Sequence, residues 1–177
     1  MAARRRSKPF AERRAERAEI DDPEIVLAAA LRFLEARQRS TAEVRRRLTS
    51  AGYREELVAG AIQRLTELRM LDDAAFAQAW IESRDRARPR GQRALRSELA
   101  AKGIDRQLVD DVLTERDMQE PEADAVAATR LLERHAPALA RVLDLRARRN
   151  RAYSLLARNG FDSETALEAI NGTDALR

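Results

Sequence analysis

The apolar positions of this chain fall at helical spacing. Leu27, Leu31 and Leu34 recur at i, i+4 and i+7, one face of a helix that starts after Asp22-Pro23. Ser40-Thr41-Ala42-Glu43 then reads as a capping box, with Ser40 as N-cap and Glu43 reaching back from the third helical position. Val44 and Leu48 continue as the apolar face of a short second helix. Gly52 follows, where a left-handed turn ends such a helix. Leu57, Ala61, Ile62 and Leu65 mark a third helix. The unit is helix, basic loop, short helix, glycine turn, helix.

The layout returns twice. A shift of 51 residues lays Val44, Leu48, Gly52, Leu57 and Ile62 on Leu95, Leu99, Gly103, Leu108 and Leu113. A further shift of 57 lays Leu99, Gly103, Ile104 and Leu113 on Leu156, Gly160, Phe161 and Ile170. The segments L-T-S-A-G-Y, L-A-A-K-G-I and L-A-R-N-G-F share a leucine, three residues, a glycine and a large apolar residue. Three copies, each followed by a helix with the same apolar spacing, define an internal repeat. Asp72 is placed to cap a helix carrying Phe76 and Trp80, read as a core pair at i, i+4. The expected fold is all-α: tandem three-helix repeats forming an elongated, curved helical rod. The expected organisation is a basic arm at 1–22, flexible or transiently helical, and repeats at 23–70, 71–117 and 118–177. The acidic connection from Glu115 to Glu122, with Pro121, reads as a hinge.

Composition agrees with narrow helical modules. Hydrophobic residues make up 44% of the 177, charged residues 36% and aromatics only 4%. Alanine, leucine, arginine and glutamate, all good helix formers, dominate. The six glycines and five prolines are too few for the turns of a strand-rich fold. The absence of cysteine excludes disulfides, thiolate metal sites and thiol catalysis. No apolar run reaches membrane-spanning length and the start lacks the apolar stretch of a signal peptide, so a soluble, cytoplasmic protein is expected.

The net charge of +4 is modest, but its distribution is not even. Residues 37–47 carry a local charge of +4, residues 84–96 one of +5 and residues 141–151 one of +4, each at the junction of the first and second helices of a repeat. All but Lys8 and Lys102 of the basic residues are arginine, suited to bidentate contact with phosphate or carboxylate. A basic patch at helix N-termini adds the helix dipole and free N–H groups to the guanidinium charge. Residues 105–124 hold eight acids against Arg106 and Arg116, a face that repels nucleic acid. The arm adds Arg4, Arg5, Arg6, Lys8, Arg13, Arg14 and Arg17. The clusters hold few aromatics, so base stacking is not an evident mode. His135, the only histidine, reads as a helix-end residue beside Ala136-Pro137. There is no phosphate-cradling glycine motif, and no metal, cofactor or small-molecule substrate is expected; the chain reads as a non-enzyme.

Several of these segments resemble the RecX family, regulators of the RecA recombinase. They are Ala30-Leu31-Arg32-Phe33-Leu34 with Arg37, Arg39-Ser40, Glu43-Val44, Leu48 and Gly52-Tyr53. They continue through Leu71-Asp72-Asp73, Phe76-Ala77, Trp80, Arg84, Arg88, Arg90-Gly91, Glu98-Leu99 and Lys102-Gly103-Ile104, and then Arg148 to Phe161. The resemblance covers about residues 24–171 and implies tandem three-helix repeats that lie in the groove of the RecA nucleoprotein filament. It further implies inhibition of ATP hydrolysis, strand exchange and coprotease activity. The candidate contacts with RecA or with DNA, single-stranded DNA within the filament, are Arg37, Arg39, Arg45, Arg46, Arg84, Arg88, Arg90, Arg93, Arg96, Lys102, Arg148 and Arg149.

Two other readings compete. One is a sequence-nonspecific or helix-turn-helix DNA-binding regulator, with the helix after Gly52 entering the major groove. Glu55 and Glu56, with Asp105 and Glu164 in the other repeats, place acids where base contacts would begin and argue against it. The other is a scaffold without nucleic-acid contact, whose binding would be insensitive to salt.

Overall fold

The computed structural model describes residues 9–173 and Leu176. Among them are ten helices and no strand: α1 (Phe10–Ala18), α2 (Pro23–Leu34), α3 (Thr41–Ala51), α4 (Glu55–Glu67), α5 (Asp73–Ala87), α6 (Gln92–Ala101), α7 (Arg106–Gln119), α8 (Ala123–Ala140), α9 (Leu145–Arg158) and α10 (Ser163–Gly172). They fall into two compact units, residues 1–76 and 77–177, divided inside α5.

The repeat is written into the backbone at its three glycines. Gly52, Gly103 and Gly160 have φ of 107°, 79° and 87°, the region a side chain disfavours. At each, the N–H of the next residue returns to the carbonyl five positions back: Tyr53 to Leu48, Ile104 to Leu99 and Phe161 to Leu156. The glycine N–H itself reaches Thr49, Ala100 or Ala157. These are three Schellman turns. The leucine and the large apolar residue that bracket each glycine are buried, which clasps the turn to the core. Each turn sends the following helix, α4, α7 or α10, back across its predecessor.

In the first unit, Val26 and Ala30 of α2 pack with Val44 and Leu48 of α3 and with Val58, Ala61, Ile62 and Leu65 of α4. Asp22 caps α2 and Ser40 caps α3; Ser40 and Glu43 form both bonds of the capping box, at 3.1 and 3.3 Å. Arg4, Arg5, Arg6 and Lys8 of the basic arm lie outside the described residues. The rest of that arm differs from a flexible segment. Residues 10–18 form α1, and Arg17 donates to the Ala51 carbonyl at 3.3 Å and lies over the Tyr53 ring. Gly52 makes room for the α1 backbone at Arg14, which a Cβ would strike.

In the second unit, Leu95, Leu99, Ile104, Val109, Val112 and Leu113 form the interior of α6 and α7. A separate core joins α8, α9 and α10 through Leu131, Leu132, Leu156, Phe161 and Ile170. The turn expected to hinge these halves is tied down. Helix α7 runs to Gln119, so only Glu120–Glu122 lie outside helix. Arg116 is nearly buried there and holds Asp85 of α5 at 3.1 Å and Asp124 of α8 at 2.7 Å. His135 sits inside α8 rather than at its end, because the helix continues through Pro137 to Ala140.

Candidate functional site

Each basic junction is built where a first helix hands over to a capped second one. Several of the N–H groups that begin these helices already have partners within the fold. At α3, Glu43 N–H goes to Ser40, and Thr41 N–H goes to Asp73 at 2.8 Å. Asp73 is therefore the second half of a division of labour: Asp72 caps its own helix through Ala75 N–H at 2.9 Å. At α6, the N–H groups of Gly91 and Arg93 donate to the carbonyls of Asn159 and Gly160, at 3.0 and 3.2 Å. That places the positive end of α6 on the negative end of α9, a favourable arrangement of dipoles. At α9, Asp144 accepts from Ala147 N–H at 2.6 Å. The basic side chains of the junctions stand around these starts.

Those side chains divide into two groups. In the first junction Arg37 pairs with Glu43 at 3.0 Å and Arg45 pairs with Glu55. Arg46 bonds the Ala42 carbonyl, one turn back on its own helix. Arg39 lies 4.3 Å from the centroid of Phe33, and its buried Nε meets no hydrogen-bond partner among the described residues. Arg47 lies over the same ring at 5.6 Å.

The second junction is centred on Glu98. Its carboxylate accepts from Arg84 Nε at 2.5 Å, Arg90 Nε at 3.2 Å and Trp80 Nε1 at 2.9 Å. Burial alone would push this carboxyl up; the hydrogen bonds from Arg84 and Trp80 and the charges of Arg84 and Arg90 outweigh it and hold the group below its usual range. Arg84 and Lys102 also stand over the Trp80 ring, at 4.2 and 4.7 Å. Trp80 is thus only partly buried and works as a platform for two cations, which a reading of core alone misses. Arg90 reaches on to Asn159. Arg96 pairs with Asp110 at 2.9 Å. Arg88 and Arg93 are exposed and meet no acidic side chain among the described residues.

In the third junction Arg148 donates to the Val142 carbonyl at 2.9 Å. Arg149 donates to Leu176 O and Asn171 Oδ1, both at 2.6 Å, and ties Leu176 and α10 to α9. Arg141, Arg146 and Arg151 are exposed and meet no acid among the described residues. The structure therefore turns Arg84, Arg90 and Arg149 inward and leaves Arg88, Arg93, Arg141, Arg146 and Arg151 facing solvent.

Charge counting overlooked the structural arginines of the second unit. Arg116 belongs to this class, as do Arg130 and Arg134 of α8, which donate to the carbonyls of Asp85 and Ala87 at the C-terminal end of α5. Asp85 itself is raised above its ordinary range, since burial and the nearby Asp124 and Glu120 together exceed the pull of Arg116. The acids at the helix starts also have local duties. Glu55 accepts from Arg45 and Thr49, and Asp105 and Asp162 cap α7 and α10. His135 Nδ1 meets the Leu131 carbonyl at 2.9 Å. Among the described residues no group of three or more histidine or acidic side chains could hold a metal ion, and no helix is long and apolar enough to cross a membrane.

Comparison with known proteins covers both units. The family described as "RecX, first three-helix domain" matches residues 27–65, and "RecX, second three-helix domain" matches residues 72–113. Regulatory protein RecX of Mycobacterium sp. (strain JLS) is 35% identical over 145 residues, 81% of this chain and 78% of that protein. Regulatory protein RecX of Mycobacterium avium (strain 104) is 34% identical over 146 residues, 81% of each. The crystal structure of RecX from Lactobacillus salivarius superposes with a TM-score of 0.74 at 22% identity, over 85% of this chain and 96% of that one. A second crystal structure, of regulatory protein RecX, gives the same TM-score and identity over 93% of this chain and 79% of the other.

Proposed function

This chain belongs to the RecX family, and from that premise we propose that it binds the RecA filament on single-stranded DNA and inhibits ATP hydrolysis, strand exchange and coprotease activity by RecA. In this reading it is a non-catalytic regulator of recombination and of the SOS response, working in the cytoplasm. The observation that carries it is kinship with RecX regulatory proteins along four-fifths of the chain. The charge arrangement supports it: solvent-facing arginines recur in the second and third repeats, where a periodic acidic or phosphate-lined surface would meet them. Arg88, Arg93, Arg146 and Arg151 are the contacts we assign first. Of the other candidates, Arg37, Arg39, Arg45, Arg46, Arg96, Lys102 and Arg148 keep partly exposed heads for a shared role, whereas Arg84, Arg90 and Arg149 act by holding the surface in shape.

The helix-turn-helix alternative loses ground, because the acids that begin α4 and cap α7 and α10 are committed to the fold and would face a DNA groove. The test is ATP hydrolysis by RecA on single-stranded DNA, with and without this protein, over a salt series. Hydrolysis falls on addition of the protein, and the effect weakens steeply as salt rises. A sequence-specific footprint on naked duplex DNA, with RecA hydrolysis untouched, would reverse the choice.

A further inference from the structure

The first unit holds a groove that the charge count of the junctions does not describe. It lies where α1 crosses α2 and α3. Four arginines line it, Arg13 and Arg17 from α1, Arg32 from α2 and Arg47 from α3, together with the aromatic rings of Phe10, Phe33 and Tyr53. Among the described residues no acidic side chain lines it. Arg13, Arg32 and Arg47 are exposed and meet no acid among the described residues.

The rings and cations are arranged rather than scattered. Arg17 lies over Tyr53 and Arg47 over Phe33, so two buried or half-buried rings hold guanidinium groups at the groove. Phe10, at the start of α1, is 60% exposed, although burial of a phenylalanine would be favourable. The helix that brings Phe10 and Arg13 there is fixed by Arg17 on Ala51 and by the close approach of Arg14 to Gly52.

We propose that this groove binds a single-stranded polynucleotide: Arg13, Arg32 and Arg47 take phosphates, and Phe10 and the Arg17 guanidinium held over Tyr53 stack on unpaired bases. An acid-free row of arginines selects a polyanion. An exposed ring beside it selects one whose bases are free to stack, which a duplex and an acidic peptide lack. The proposal rests on the filament reading only for the source of the strand. It gives α1 a purpose that reading does not supply.

The test uses the full chain and fluorescence anisotropy with labelled oligothymidylate, an RNA oligomer of equal length, a matched duplex and poly-glutamate. Wild type binds both single strands more tightly than duplex or poly-glutamate. Arg32→Ala with Arg47→Ala weakens binding about tenfold or more and flattens the salt slope by about 1.4, two phosphates at roughly 0.7 each. Phe10→Ala, at an exposed position that leaves the core intact, weakens it about fivefold or more. Arg64→Ala, on the surface of α4, changes nothing. Equal binding of duplex, a preference for poly-glutamate, or unchanged binding by both groove variants overturns the proposal. RecA hydrolysis, measured on the same preparations, separates the two readings. Inhibition without binding of the naked strand overturns the groove and keeps the filament reading. Binding through the groove without inhibition does the reverse.

Discussion

Arg88 and Arg90 stand two residues apart and have opposite fates. Arg90 is drawn in by Glu98 and Asn159, while Arg88 stays in solvent. Substitution separates them. Arg90→Glu sets two carboxylates against each other and strands a partly buried acid, so thermal unfolding shows a loss of about 3 kcal/mol. Arg88→Glu with Arg93→Glu leaves the melting profile within about 0.5 kcal/mol of wild type, as exposed, unpaired positions allow. Glu98 sets a pH response through the same contacts. Its folded-state pKa is lowered, as is that of Asp162, where the Thr165 N–H bond is the largest cause. A lowered carboxylate contributes stability that is full above its ordinary value and lost as pH falls through the folded one. Melting temperature should therefore drop below about pH 4.5, and Glu98→Gln should flatten part of that drop while costing about 2 kcal/mol at neutral pH. Asp85, raised, acts in the opposite sense and gives up stability as pH climbs past its ordinary value. A wild-type melting temperature that stays level down to pH 3, or a Glu98→Gln curve parallel to it, would remove Glu98 from this role. The residue scale was the least legible in the sequence. Arg90 and Asn159 are 69 positions apart, and nothing local to either distinguishes a clamp from a free charge.

Elements were far more legible, because their signals are local. A capping box needs four consecutive residues and a Schellman turn needs six, and both sit where Ser40, Gly52, Gly103 and Gly160 put them. The arm was legible only as flexible or transiently helical, for the converse reason. Residues 10–18 are short and mostly charged, so isolated periodicity is weak, and α1 is specified by its fit to Gly52 and Tyr53. The glycines provide a graded test. Gly103 holds a positive φ, and on that ground Gly103→Ala should cost at least about 1 kcal/mol. Gly160 has the same need, and a Cβ there would also strike the backbone of Ala94 in α6. Gly160→Ala should cost about 3 kcal/mol or more and loosen the seat of α6 on α9. Urea unfolding followed by Trp80 fluorescence reads both; a Gly160→Ala loss of no more than about 1 kcal/mol would contradict the close seating of Gly160 against Ala94.

For the whole molecule, three repeats make two compact units, since the second and third share Arg116, the α6–α9 seat and the arginine caps on α5. Internal repetition was legible as a period of leucines and glycines. The grouping was not, because it depends on bonds that cross the repeat boundary. The net charge of +4 conceals the division that matters for function, between arginines consumed by the fold and arginines left to a partner. We propose that the second group grips a RecA filament. The most direct test of this is a titration of RecA ATP hydrolysis on single-stranded DNA with wild-type protein and with the Arg88→Glu, Arg93→Glu variant. The account predicts inhibition by wild type and about tenfold weaker inhibition by the variant, about 1.4 kcal/mol, at unchanged circular dichroism. Hydrolysis that wild type leaves untouched, or inhibition that the folded variant retains in full, would contradict it.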